Sequence, residues 1–244
     1  MITIIGTGHI FNLSEALVEI FDKKQPDIFC IELDKERYHS IILKQKNPEK
    51  YRESSKELPF IYKLFARFQE EMANEYGVTS GQEMITTIEY AKSHQIPLAF
   101  IDLKAHQLFR KMLKKMSLKE KIRLLFSALG GIFIGRKTVE KEINKIENNL
   151  EDYIKDIQKK FPTIKRVLID ERNEYMIQRL LTVSREHKRV IAVVGDGHIP
   201  GLIKLLKKIG RFEFETIRLS QLRKYSINDI DTSFASFTIK HKEI

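Results

Sequence analysis

Two short segments carry the same arrangement of residues able to bind a metal. The first reads Ile4-Ile5-Gly6-Thr7-Gly8-His9-Ile10 and the second Val193-Val194-Gly195-Asp196-Gly197-His198-Ile199. In each, a strand-like apolar run ends in Gly-x-Gly, where the chain can turn sharply and approach a ligand, and a histidine follows at once. If the two strands are neighbours, about 4.8 Å apart, both imidazoles can share one ion at bonds of about 2.0–2.1 Å. Glu32 ends the strand that follows the first copy, at the same level. His9, His198 and Glu32, completed by a water, suit Zn²⁺, Mn²⁺ or Co²⁺. Glu32 would ligate the ion or act as general base to its water. Arg172 and Tyr175, three apart in a helical stretch, share a face and could orient a substrate carbonyl or carboxylate; an exposed ion pair is the plainer alternative. Glu83, in the first turn of a helix, has capping as its default role. With Arg37, Asp102, Glu171 and Asp196 it forms a second tier of pocket residues.

A single Gly-x-Gly-His is more often just a tight strand-to-helix turn; the duplication is what favours a shared site. A dinucleotide fingerprint would need a third glycine, but Phe11 and Pro200 stand there. His39, His94, His106, His187 and His241 have no partner at ligand spacing. The chain contains no GxSxG elbow, HExxH or Walker loop, and no cysteine pair. Hydrolysis by a serine or cysteine nucleophile has little support.

The elements that must position these residues alternate. Strands are expected at 2–5, 28–33, 98–102, 190–194 and 214–219, the first four leading into helical patterns. That is the alternation of an α/β fold with a mostly parallel sheet covered on both faces. Asn12 or Ser14 is the expected cap of the first helix, with Asn12 and Glu15 at capping-box spacing. A helix over about 58–76 should end at Gly77, and another, opened by Gly81, should run over 82–94 and stop before Pro97. From about 104 to 185 the pattern is helical, broken at Gly130-Gly131 and Gly135 and restarted at Phe161-Pro162. Residues 104–160 read as a basic helical insertion within a single domain spanning 1–244, with 138–160 part of a projecting antiparallel helix pair.

The 244 residues carry a formal charge of +10, unevenly distributed. Between Lys104 and Lys137 ten basic residues face one acid, Glu120, so that segment alone carries +9. A solvated helical face or an arm on a second subunit of a homodimer accounts for this most simply; an anionic membrane surface comes next. Nucleic acid comes last, because no nucleic-acid motif accompanies the charge. No apolar run reaches the ~18–20 residues of a membrane span, and no signal-peptide pattern follows Met1. The single cysteine, Cys30, excludes an intrachain disulfide and reads as a small buried thiol. A cytoplasmic protein is expected, membrane-associated or the soluble part of a membrane protein in the variant readings.

Taken in order, several segments resemble the TraB/PrgY pheromone-shutdown family. They are Ile5-Gly6-Thr7-Gly8-His9, Pro26-Asp27 through Ile31-Glu32-Leu33-Asp34 to Arg37-Tyr38, and Gly81-x-Glu83-Met84. Ile101-Asp102, Glu171-Arg172-Asn173-x-Tyr175-Met176 and Val193-Val194-Gly195-x-Gly197-His198-x-x-Gly201 follow. The resemblance spans roughly residues 2–202; the basic insertion matches poorly. It implies kinship with the Tiki metalloproteases, the erythromycin esterases and ChaN-like haem-binding proteins. The Tiki pattern of two Gly-x-x-His motifs and a glutamate falls here on His9, His198 and Glu32. Where many relatives read Ile-Asp-Arg-Asp, this chain has Ile101-Asp102-Leu103-Lys104 and lacks the arginine. Many members also carry hydrophobic C-terminal helices, which this sequence does not show. The expectation is a metal-dependent hydrolase acting on a peptide or signalling peptide. The alternatives are a non-catalytic protein that sequesters such a ligand and a haem binder.

Overall fold

β-Branched and aromatic runs bounded by turn residues become five strands, all parallel, in the spatial order β3-β2-β4-β1-β5. The computed structural model describes residues 1–8, 13–47, 49, 81–131, 150–210 and 213–227. The strands are β1 (Ile2–Thr7), β2 (Ile28–Ile31), β3 (Leu98–Phe100), β4 (Val190–Gly195) and β5 (Phe214–Ile217). Between and after them come α1 (Ser14–Lys24), α2 (Lys35–Lys46), α3 (Gln82–Ser93), α4 (Ala105–Lys115), α5 (Leu118–Gly131), α6 (Leu150–Lys160) and α7 (Pro162–Lys165). A π-helical turn, Arg166–Asp170, leads into α8 (Glu171–Val183); α9 (Ile199–Ile209) follows β4 and α10 (Leu219–Ile227) follows β5. The α/β class and the parallel sheet are as the sequence implies.

Alternation along the strands makes two cores. On one face Ile2, Ile4, Cys30, Ala192 and Val194 pack against Met176, Ile177 and Leu180 of α8 and Leu202 and Leu206 of α9. On the other, Ile5, Phe29, Ile31 and Val193 pack against Leu17 and Phe21 of α1, Met84 and Ile88 of α3 and Leu222 of α10. Phe21 and Phe29, both 0% exposed, meet edge to face with ring centroids 4.6 Å apart; each full burial stabilises by about 2–3 kcal/mol. Cys30 lies in this sheet, and burial pushes its thiol pKa up to about 12. At the N-terminal ends of β2 and β4, Asp27 accepts from the backbone N–H groups of Lys188 and Arg189 and from the Arg189 guanidinium, clamping the two strands together.

Several local expectations change. Ser14 is the first residue of α1, and its hydroxyl bonds the Thr86 hydroxyl at 2.9 Å, so it joins α1 to α3 instead of capping. Asn12, the expected helix over 58–76 with Gly77, Gly135 and residues 138–149 lie outside the described residues. Gly81 does open α3, in the left-handed region at φ 79°. α5 runs up to Gly131, where the described stretch ends, so the expected break at Gly130-Gly131 falls at the end of that helix. An unexpected break comes earlier, at Met116, where the backbone is extended. There Glu120 accepts from the Ser117 N–H at 2.9 Å and from the Thr163 N–H at 2.8 Å, a Ser-x-x-Glu capping box that also ties α5 to α7. Pro162 restarts the helix as expected. Among the described residues no helix is long and apolar enough to cross a membrane.

Candidate functional site

The neighbourhood that the duplicated motif requires is present: β1 and β4 are adjacent, in the register Thr7↔Gly195. β4 also pairs with β2, with Ile31 opposite Val193, so the turn after β4 lies beside Glu32. Beyond Gly195 the chain enters a 3₁₀ turn, Asp196–His198, and His198 begins α9. Glycine is not what shapes this turn. Gly195 has φ −60° and ψ 136°, and Gly197 lies outside the left-handed region with open space where a Cβ would be.

Four side chains converge at the C-terminal ends of the strands. Glu32, at the end of β2, is 8% exposed and accepts the Gly195 N–H at 2.6 Å through Oε2. Its Oε1 takes a hydrogen bond from Arg172 Nη2 and lies 3.4 Å from His198 Nε2. Asp102, just past β3, receives the other side of the Arg172 fork, Nε at 2.9 Å and Nη2 at 2.8 Å. Arg172 Nη1 also donates to the Leu168 carbonyl in the π-helical turn, at 3.2 Å. One guanidinium thus ties together the ends of β2 and β3 and its own helix. Burial alone would raise the Glu32 pKa. The charges of His198 and Arg172 and the hydrogen bonds to His198 and Gly195 outweigh it and hold the carboxyl well below its usual range. Burial likewise opposes the Arg172 charge, and the two carboxylates override it, raising its pKa above that of ordinary arginine.

His198 is held from behind. Its Nδ1 lies 2.7 Å from the Asn173 amide oxygen; that oxygen can only accept, so Nδ1 carries the proton. Nε2 is left facing a carboxylate, which calls for a cation between or on them: a proton or a metal ion. The spacing suits a metal. Two ligands of a tetrahedral ion bound at about 2.0–2.2 Å are separated by roughly 3.3–3.6 Å, and the pair here is at 3.4 Å. An imidazole fixed through its second nitrogen is the usual outer-shell support of a metal-bound histidine. Among the described residues no group of three His, Cys, Asp or Glu side chains completes a ligand set; His9 lies outside them.

The remaining candidates divide. Arg37, in the first turn of α2, places Nη1 3.5 Å from Asp102. Asp196 is bound by both arms of Arg218, at 2.8 and 2.7 Å, and by the Leu219 N–H. Glu171 pairs with Lys111 at 2.6 Å and Lys115 at 3.4 Å on α4, which brings the basic helix against the site helix. Glu83 is buried in the first turn of α3, and Tyr175 is half-buried on α8 and takes no part in the Arg172 bonds. Asn173 and Gly201 were not singled out as site residues. The spacing of Gly201 from His198, three residues or just under one helical turn, was the available signal: a Cβ there would collide with Asn173 Nδ2.

Fold and cluster together define an all-parallel α/β protein with a carboxylate–guanidinium–imidazole site on its strand ends. Residues 1–211 match the TraB/PrgY/gumN family model, and the chain belongs to that family. It is 30% identical, over 98% of its own length, to "Uncharacterized protein MJ1365" of Methanocaldococcus jannaschii. The chain spans 62% of the length of that relative.

Proposed function

We propose that this protein is a metal-dependent hydrolase of peptide bonds, with His198, Glu32 and His9 as the residues that would hold the ion. The supporting observation is the His198–Glu32 pair, set 3.4 Å apart with the imidazole fixed through Asn173. A divalent ion there supplies a Lewis acid and a water acidic enough to give hydroxide near neutral pH. The reaction is addition of water across the amide: oxygen bonds to the carbonyl carbon, the C–N bond breaks, and the amine leaves with a proton.

The side chains have distinct parts in this reading. A general base works best with a pKa near the working pH, whereas Glu32 is bonded by Arg172 and the Gly195 N–H, which favour its ionised form; it suits a ligand better than a proton acceptor. Arg172, most of whose donors go to Glu32, Asp102 and Leu168, is a positioning residue for that carboxylate. Tyr175 is left as the candidate to polarise the scissile carbonyl. Hydrolysis of a mixed peptide pool, followed by mass spectrometry, should stop with a chelator, return with Zn²⁺, Mn²⁺ or Co²⁺, and be lost in Glu32→Gln. Cleavage that survives chelation and Glu32→Gln alike would end the proposal.

A further inference from the structure

Among the described residues, the cations around the site are mostly committed. Arg172 is bound to two carboxylates and a carbonyl through four of its five N–H groups. Lys111 and Lys115 are paired with Glu171, Lys165 with Asp170 and Lys104 with Glu36. Arg37 differs. Its side chain is 42% exposed, and its contact with Asp102 is a single 3.5 Å approach. Asp102 does not depend on it: Oδ1 already takes Arg172 Nε and the Leu103 N–H, and Oδ2 takes Arg172 Nη2 at 2.8 Å. A 3.5 Å pair whose cation is open to solvent and whose acid is already satisfied is worth little, so the guanidinium is available to a closer partner.

Its backbone is nevertheless fixed. Asp34 caps α2 by accepting the N–H groups of Glu36 and Arg37 at 2.8 and 3.1 Å. The adjacent Tyr38 ring packs on Phe100 of β3, centroids 5.0 Å apart. A half-exposed guanidinium on a fixed backbone, one carboxylate away from the Glu32–Arg172 pair, is placed to grip a planar anion. Guanidinium and carboxylate match as a two-pronged pair.

Resting on the hydrolase reading for its consequence, we propose that Arg37 anchors a carboxylate of the ligand. The site then takes peptides that carry that group close to the bond presented to Glu32 and His198. The carboxylate is the peptide's own C-terminus or an acidic side chain.

Calorimetry on untreated wild-type protein with three probes tests this: N-acetyl-trialanine, its C-terminal amide, and an amidated analogue ending in glutamate. The free acid should bind about 10- to 100-fold tighter than the plain amide, the range of one charge-assisted pair. Affinity regained by the glutamate analogue assigns a side-chain carboxylate; failure to regain it assigns the C-terminus. In Arg37→Gln the preference should vanish with the melting transition unchanged, and Arg37→Lys should restore part of it. Equal binding of acid and plain amide, no binding of either, or a preference that survives Arg37→Gln overturns the proposal. Metal content of the same samples separates the two ideas. An Arg37-dependent preference without metal removes the hydrolase and leaves the anchor; metal without the preference does the reverse.

Discussion

The two repeats of this chain are built alike and end differently. In the first, β1–α1–β2 delivers Glu32; in the second, β4–α9–β5 delivers Arg218. Because β4 lies between β2 and β1, and β1 between β4 and β5, each terminal residue comes to rest beside the glycine turn of the other repeat. Glu32 uses that position across the sheet, binding Gly195, Arg172 and His198. Arg218 turns to Asp196 of its own repeat, one-third exposed and locally paired. Equivalent placement by the fold thus yields a buried cross-sheet charge cluster on one side and a local, partly exposed ion pair on the other. The residue type at the strand end decides which.

The largest test of that contrast is removal of each arginine. Arg172→Ala leaves Glu32 and Asp102 buried without their counter-charge and should cost about 3–5 kcal/mol in urea unfolding. Arg218→Ala, at a partly exposed pair whose acid keeps the Leu219 N–H, should cost about 1 kcal/mol. Equal losses would erase the distinction between the two ends. Gly201→Ala comes next: its Cβ would collide with Asn173, costing about 1–3 kcal/mol by overpacking and lowering metal affinity about 10- to 100-fold by misaligning His198. Asn173→Ala should reproduce the affinity loss without the overpacking.

Acid sharpens the comparison further. A carboxylate whose folded pKa is depressed stabilises fully above its unfolded value, about 4.3, and loses that contribution as pH falls through the folded one. The gap in melting temperature between wild type and Glu32→Gln should therefore hold from pH 7 to about 5 and shrink below about 4. A gap independent of pH would mean that Glu32 is not held ionised. Smallest of all, Gly197→Ala should lie within about 0.5 kcal/mol of wild type, since nothing stands within 4 Å of the new methyl group.

Strand positions were legible because buried parallel strands read as continuous apolar runs; the β1–β4 neighbourhood entered only as the condition for a shared site. Glu32, Asp102, Arg172 and His198 could be nominated from strand ends and helix starts. Their pairings could not, since which carboxylate an arginine meets depends on strand order, and β4 between β2 and β1 is set by tertiary packing. The reading of Gly-x-Gly as a glycine-dependent turn was too literal: in the second copy a 3₁₀ turn makes the bend. Two described glycines under steric demand are Gly6, where a Cβ would collide with Asp196, and Gly201. The helix break at Ser117 was missed because the Ser-x-x-Glu box lies inside a run of lysines whose periodicity does not change.

Elemental analysis of the untreated protein tests the central claim most directly. The account predicts close to one divalent metal ion per chain in wild type, lost in the His9→Ala/His198→Ala double variant and retained in Arg218→Ala. Equally negligible metal in wild type and the double variant would contradict it.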